Sequence, residues 1–496
     1  MSLPSSFSYF VNRMSGVSRK QVKIQPTNST TIKNNQSVEW VLPDDSLVDL
    51  TTLEMRGNFK FQNASTATNV IRYVPQPHTL FRSQTWSLNG QVVSGNSCQH
   101  YGQLYEAVRR ASVGLSHDKS CEDEYFSVPI ANKFGCVSSD TAGGQSIGTK
   151  TEKSASDTQA RAIKCKAWWG LATSPNSSNW DTSIFGSTRL RIEFMGSEPI
   201  LAQADTALGS GDGDWEISDI HMVVDVLSFS DASYDMLMSS LLSEEGSSLL
   251  VPFNEYTSQL SLVNNSIKFN VSSQSLDMLG FACLKDTQNA ITKVGTSSGQ
   301  PYAVLNDSNR NPIVASHNDY CYRNASSESM SNKSELSEAC SATFSYQING
   351  EVYPSQGQTA LQNGASFTRD LYSAGKHERN QLYTGYKNII ALKDDGAVQD
   401  ANHQDYVSSW NDNLAQYQAK VNYLSHNCIV AMRLCADLPA SQSPQRSLSG
   451  KNTLGSSSNI TLNLVNFNNN TDNVLMFAQG SAVLEARAGQ AVAVQY

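Results

Sequence analysis

The chain of 496 residues carries a formal net charge of -9 at pH 7, with 39% hydrophobic and 16% charged residues. This length predicts two large domains, and the composition is that of a globular protein with few charges. No apolar run reaches the roughly 18 residues of a membrane span, and the first residues lack the apolar segment of a signal peptide. We therefore expect no membrane span and no signal peptide, and we expect synthesis in a cytosol-like compartment.

Basic residues are concentrated at the start of the chain, where no acidic residue precedes Glu39. The basic residues before it are Arg13, Arg19, Lys20, Lys23 and Lys33. We predict an N-terminal arm over residues 1–36. Five charges without a dense cluster would neutralise few phosphates, so a nucleic acid is not the only partner to consider. It either contacts nucleic acid weakly or docks on a neighbouring protein.

The nine cysteines are an odd number and include no C-x-x-C pair. A disulfide framework would pair them, and a zinc site would need closely spaced ligands. The pattern therefore predicts buried free thiols.

Three segments alternate apolar and polar residues with the period of a half-buried β-strand. They are LEMRGNFKF at 53–61, RLRIEF at 189–194 and ITLNL at 460–464. The end of the chain alternates in the same way, with apolar side chains at Val492, Val494 and Tyr496. Since chain termini fray unless a sheet holds them, we predict a terminal strand locked into a core.

The Asn89-Gly90 pair in TWSLNGQVV predicts a tight β-hairpin, because both central positions of a type I′ turn require positive φ. Helices are predicted to be few and short, from apolar residues spaced by three and four within 100–111, 231–242 and 405–424. Residues 112–160, 172–187 and 284–380 are rich in Ser, Gly and Asn, and we expect long surface loops there.

The chain contains an internal repeat. Segment 37–50 aligns with 266–279, and segment 185–194 aligns with 454–464 in the same order. In the second pair Leu190 and Ile192 stand opposite Ile460 and Leu462. Two copies of one all-β domain explain this order, with 201–215 as the connector. The C-terminal segment then completes the sheet of the second copy.

The order of these segments resembles that of the double jelly-roll major capsid proteins of icosahedral double-stranded DNA viruses. This group includes adenovirus hexon and the capsid proteins of virophages, polinton-like viruses and iridoviruses. The segments that carry the resemblance are 42–61, the hairpin and helix of 85–111, 225–256, 449–466 and 481–496. The resemblance covers the chain from about residue 20 to its end and has no invariant fingerprint.

The resemblance implies an all-β protein of two tandem eight-stranded jelly rolls, which are β-sandwiches, with short helices and long loops. We assign residues 37–210 to the first jelly roll and 211–496 to the second. It further implies a homotrimer that forms a pseudo-hexagonal capsomer and contacts neighbouring capsomers, penton and minor capsid proteins. The protein would lie in the virion capsid, assembled inside the host cell, with the basic arm in possible contact with the genome.

Short catalytic and metal-binding motifs occur in the sequence, but they lack the flanking residues or elements that their chemistry requires. G-x-S-x-G occurs at 144–148 and 295–299, but without the strand and helix that a nucleophile elbow needs. GDGDWE at 211–216 lacks the glycine and the distal acid of a calcium loop, and HDKSC at 117–121 is an isolated His and Cys pair. We therefore predict that the protein is not an enzyme and has no catalytic, cofactor-binding or metal-binding residues.

An alternative function belongs to another class, that of a two-domain β-sandwich that binds carbohydrate or acts as an enzyme. Its support is a set of tryptophans in predicted loops: Trp168, Trp169, Trp180 and Trp410. Aromatic platforms for sugars must be exposed. Burial of these tryptophans would remove the support for this alternative.

Overall fold

The computed structural model describes residues 17–61, 70–72, 77–95, 98–105, 124–126, 152–153, 160–166, 168–173, 179–196, 201–203, 214–229, 248–285, 292–294, 342–360, 429–436, 448–454, 459–467, 472–487 and 493–495. About two thirds of them lie in β-strands. The predicted helices at 231–242 and 405–424 lie outside these residues. Of the helix predicted at 100–111, residues 101–105 are described, and they are helical.

The described strands of the first half are numbered in chain order. They are β1 (Val17–Ile24), β2 (Ile32–Lys33), β3 (Ser37–Val41), β4 (Leu47–Phe61), β5 (Val70–Arg72), β6 (Phe81–Leu88), β7 (Gln91–Ser94), β8 (Glu124–Phe126), β9 (Glu152–Lys153), β10 (Arg161–Cys165), β11 (Asn179–Asp181), β12 (Thr188–Phe194), β13 (Leu201–Gln203) and β14 (Trp215–Phe229). Short helical turns occur at Pro77–Leu80 and Gly170–Thr173, both of the 3₁₀ type, and at Thr182–Phe185, which is helix α1.

The second half continues the numbering. Its described strands are β15 (Ser248–Leu262), β16 (Ser266–Asn270), β17 (Leu276–Lys285), β18 (Thr292–Val294), β19 (Thr343–Ile348), β20 (Glu351–Tyr353), β21 (Thr359–Ala360), β22 (Ile429–Arg433), β23 (Asn459–Val465), β24 (Asp472–Arg487) and β25 (Ala493–Gln495).

Each half folds as a jelly roll. In the first half one sheet has the order β1-β14-β4-β10, with the short β8 added beside β10, and the other has the order β3-β12-β6-β7. In the second half the orders are β15-β24-β17-β22 and β16-β23-β19-β20, so the same eight-stranded arrangement occurs twice. Packing two such sheets face to face buries the apolar side of every strand. The predicted all-β fold of two tandem jelly rolls is confirmed.

The strand register confirms the internal repeat. In the first half Trp40 pairs with Leu190, and in the second half Phe269 pairs with Ile460. Beyond these strands, the amide of Phe194 donates to the carbonyl of residue 36 at 2.9 Å, and the amide of Leu464 donates to that of residue 265 at 3.0 Å. In each jelly roll, the two segments found by the alignments are therefore neighbouring strands of the same sheet.

A second Asn-Gly hairpin repeats the predicted one. Asn89 and Gly90 connect β6 to β7 with φ of 49° and 85°, and Asn349 and Gly350 connect β19 to β20 with φ of 50° and 88°. Both are type I′ turns. The second hairpin lies within 284–380, which was predicted to be a loop, so that prediction is wrong there. SYQINGEVY at 345–353 aligns with TWSLNGQVV at 85–93, and this match was the available signal.

The described part of the predicted arm is not detached from the first half. β1 pairs along its whole length with β14, and β2 pairs with the other end of β14. Arg19 forms ion pairs with Asp225 and Asp49, and Lys23 pairs with Asp219 at 3.1 Å. From this pairing we propose that the first jelly roll runs from 17 to 229 rather than from 37 to 210, and that the second begins at 248.

The end of the chain and the cysteines follow the predictions where they are described. β25 pairs with β24, with Val494 opposite Leu484, so the C-terminal segment does complete the second half. Its side chains lie outside the description. Four cysteines lie in the described ranges, and all four are buried thiols outside any disulfide: Cys98, Cys165, Cys283 and Cys435. Among the described helices, none is long and apolar enough to cross a membrane.

Tyr346 on β19 gives a stability prediction. Its buried hydroxyl has no hydrogen-bond partner among the described residues, and an unpaired buried polar group is costly. Tyr346→Phe should therefore raise the free energy of unfolding by about 1 kcal/mol in denaturant titration. Tyr353, its partner on β20, is the control because its hydroxyl donates to the exposed Glu351. Tyr353→Phe should change little, and equal effects would contradict the argument.

Candidate functional site

The contact between the two halves is the candidate functional site in the described part of the chain. One sheet of the second half, β15-β24-β17-β22, is apolar on both faces. Along β17, Leu279 and Phe281 join the core of the second jelly roll, whereas the alternating Met278 and Ala282 join the hydrophobic cluster of the first half. The halves are therefore joined through a sheet that is buried on both sides.

Aromatic rings fill part of this contact. Trp169 of the first half stacks on Tyr256 of β15, with ring centroids 4.0 Å apart and planes inclined by 15°. Tyr101 meets the edge of the same tryptophan at 5.2 Å. The carbonyl of Trp169 also accepts a hydrogen bond from the indole N–H of Trp86 at 3.2 Å. Such pairs contribute beyond their buried area and fix the orientation of the two halves.

Glu255 on β15 is held by the first half. Its Oε2 accepts a hydrogen bond from the Ser94 hydroxyl at 2.6 Å, and its Oε1 accepts one from the Gly95 N–H at 2.8 Å. Burial raises the pKa of Glu255 to about 7, although both hydrogen bonds act in the opposite direction. A partly buried carboxyl group therefore lies between the two halves.

The neighbours of Glu255 are polar but stay neutral. Burial, and then the nearby Glu255 carboxylate, raise the pKa of Cys98 to about 12. Burial also raises the pKa of Tyr256, whose hydroxyl donates to Gln479 at 3.2 Å. Ser258, further along β15, donates to the carbonyl of Gln99. The arrangement holds two halves together and presents no activated nucleophile.

A small cavity adjoins the carboxylate. Its volume is about 10 Å³, which is close to the space that one water molecule needs. Among its lining residues are Gln84, Ser94, Tyr101, Trp169, Glu255 and Tyr256, and the complete lining contains no Lys, Arg or His. The site is too small for an organic ligand.

A second connection joins the halves through their loops. β18 of the second half pairs in parallel with β13 of the first half, in a sheet of order β18-β13-β5-β9. Leu201 lies opposite Thr292, and Gln203 lies opposite Val294. Backbone pairing therefore supplements the packing of the halves.

The tryptophans of the carbohydrate alternative do not form an exposed platform. Trp180 is fully buried and Trp168 nearly so, while Trp169 is packed as described above. Trp168 donates its indole N–H to the Leu53 carbonyl at 2.7 Å. Trp410 lies outside the described residues. The aromatic argument for a sugar-binding site is thus lost for Trp168 and Trp180, while Trp169 is half-buried and stacks on Tyr256.

The motifs that were weighed as catalytic gain little from the structure. Both G-x-S-x-G segments and HDKSC lie outside the described residues. Of GDGDWE, Trp215 and Glu216 belong to β14, and Asp214 accepts a hydrogen bond from Asn34 at 2.9 Å. In the described ranges no group of three His, Cys, Asp or Glu residues could hold a metal ion.

The sequence analysis did not identify Ser94, Gly95 and Glu255 as a site. The available signal was a charged residue within the apolar segment VPFNEY at 251–256. A single glutamate in such a segment does not indicate that its side chain lies at a contact between two domains.

Two tandem jelly rolls joined in this way define a double jelly-roll protein, and the solved structures agree with this class. The chain is similar to the VP54 protein of PBCV-1, solved as a crystal structure fitted into a reconstruction of the virophage Sputnik, with a TM-score of 0.55 and 9% identity. It is also similar to a chain of the PBCV-1 virus capsid, with a TM-score of 0.54 and 10% identity. Each match covers 98% of both chains.

These matches show similarity of fold alone, because their sequence identity is too low to support a shared function. No protein-family model matches the sequence, and no curated protein matches it significantly.

Proposed function

We propose that this chain is a viral major capsid protein, which is a structural protein and not an enzyme. The observation that carries the proposal is the match of both jelly rolls together, over 98% of each chain, to a protein of the PBCV-1 capsid. A match to one β-sandwich would be a weaker argument, because sandwiches serve many functions. Two jelly rolls in one chain are a far narrower class.

The contact between the halves supports a role as a building block. Two similar domains that are fixed to each other form one rigid unit, and three such chains around a threefold axis present six similar domains. We propose this homotrimer as the pseudo-hexagonal capsomer. Neighbouring capsomers, penton and minor capsid proteins would be its partners in the virion, which would assemble inside the host cell.

The basic residues near the start of the chain favour a protein partner over the genome. Arg19 and Lys23 are already paired with Asp225 and Asp219 in the first jelly roll. Neutralised cations release few counterions from DNA. We propose that residues 1–16 dock on a neighbouring protein in the shell, and that genome contact is weak.

The decisive experiment is to express the chain alone, purify it by size exclusion and examine it by native mass spectrometry and negative-stain electron microscopy. We expect particles of three times the chain mass with a pseudo-hexagonal outline. A strictly monomeric species at high micromolar concentration would contradict the proposal. A variant that lacks residues 1–16 should still form the trimer, which separates capsomer formation from shell assembly.

A further inference from the structure

The contact between the halves contains an acid where an apolar or neutral group would be less costly. Glu255 lies among aromatic rings and next to Cys98, and the lining of the adjoining cavity provides no basic side chain. Two hydrogen bonds, from Ser94 and Gly95, are the described compensation for a negative charge at this place. An ionised carboxylate is therefore poorly stabilised here.

The neutral acid fits the same place without that cost. Its carbonyl oxygen can still accept from the Gly95 N–H, and its hydroxyl can donate to the Ser94 oxygen, since a serine hydroxyl both donates and accepts. The geometry thus accommodates two protonation states that hold the halves with different strength.

We propose that Glu255 makes the contact between the two jelly rolls depend on pH. The contact is tight when Glu255 is protonated, in mildly acidic solution, and it loosens when Glu255 ionises in neutral to alkaline solution. This goes beyond the proposed capsid function and concerns the two halves of a single chain.

The sign follows from linkage between proton binding and folding. The pKa of Glu255 rises from 4.5 to about 7 on folding, so the folded chain binds the proton more tightly. The contribution to stability is present below pH 4.5 and is lost as the pH rises through about 7. The shift sets a ceiling of about 300-fold on the change in the opening equilibrium.

The Cys98 thiol, the Tyr256 hydroxyl and His100 do not produce this dependence. The Cys98 thiol and the Tyr256 hydroxyl have raised pKa values and remain protonated at neutral pH. Burial and then Arg82 lower the pKa of His100, which follows Gln99. A lowered histidine pKa makes acidification destabilising, which is the opposite direction. Comparison of a variant with the native chain at each pH cancels this contribution.

The test is hydrogen exchange by mass spectrometry on the full chain at pH 5.5 and pH 8, corrected for the intrinsic rates. In the native chain, peptides that cover 94–99 and 248–258 should be less protected at pH 8, with an opening equilibrium about tenfold or more higher. Glu255→Gln cannot ionise and should keep its protection at pH 8. Glu193→Gln, whose side chain lies on the solvent side of β12 and is 42% exposed, is the matched control and should behave as the native chain.

A second variant keeps the proposal testable if Glu255→Gln does not fold. Ser94→Ala removes a donor that favours the ionised form, so the pH at which protection is lost should move upward. The same pH dependence in Glu255→Gln as in the native chain would overturn the proposal, and so would an unchanged midpoint in Ser94→Ala. Because protection is measured within one chain, neither result depends on whether trimers form.

Discussion

Gly95→Ala is expected to destabilise the chain by about 3–5 kcal/mol and to disrupt the contact between the halves. Gly95 has a φ of +85°, and a Cβ atom placed on it would lie 1.9 Å from the carbonyl oxygen of Gln84. That oxygen is main chain in the middle of β6, where Gln84 pairs with Ile192, so it cannot move aside cheaply. Any shift of Gly95 also displaces the N–H that holds Glu255.

Gly90→Ala is a closely matched control. Gly90 has the same φ of +85°, but a Cβ atom there would meet nothing within 4 Å. It should therefore show only the cost of the left-handed backbone, about 1 kcal/mol. Denaturant unfolding of both variants separates conformational strain from the steric clash. Equal losses would mean that the close approach to Gln84 is not a constraint.

Much of the fold could be predicted because the repeat and the alternation agree. Period-two patterns identified β4, β12 and β23, and the repeat indicated that two of them occupy equivalent places. The pairs Trp40 with Leu190 and Phe269 with Ile460 then follow from one topology used twice. Agreement between local pattern and repeated order is stronger evidence than either alone.

The first strand was missed because its pattern is weak. β1 reads VSRKQVKI and lies at the edge of its sheet, where only Ile24 among its described side chains is buried. Edge strands often carry charges on their open side, and here the charges led to the prediction of an arm. β14 was assigned to the second jelly roll, because the boundary was placed at 210, just before the acidic segment in which this strand begins.

The contact between the halves could not be predicted from local patterns. Ser94 and Glu255 are separated by 161 positions in the chain, and neither has an unusual neighbourhood. The sheet that contains Glu255 is buried on both faces, and its strands therefore include continuous apolar runs such as MLGFAC at 278–283. Such runs do not reveal which face meets the other half, because the alternation that marks a half-exposed strand is absent.

Trp180→Ala is the second prediction with a large expected effect, and it also separates the two functional classes. Trp180 is fully buried and stacks on Phe185 with ring centroids 4.0 Å apart. Its indole N–H donates to the Thr188 hydroxyl at 2.9 Å. Truncation should cost about 3–5 kcal/mol, because the cavity left between two packed sheets cannot close.

Trp180→Phe keeps a ring against Phe185 and should cost markedly less, about 1–2 kcal/mol. The Thr188 hydroxyl retains its bond to the Gly186 carbonyl at 3.2 Å, so it is not left unpaired. If Trp180 were a sugar platform, the alanine variant would lose glycan binding while keeping its stability. If Trp180 is instead a core residue of a capsomer, the alanine variant should be less stable, and trimers should be lost in proportion to the unfolded fraction. Thermal unfolding combined with native mass spectrometry distinguishes the two outcomes.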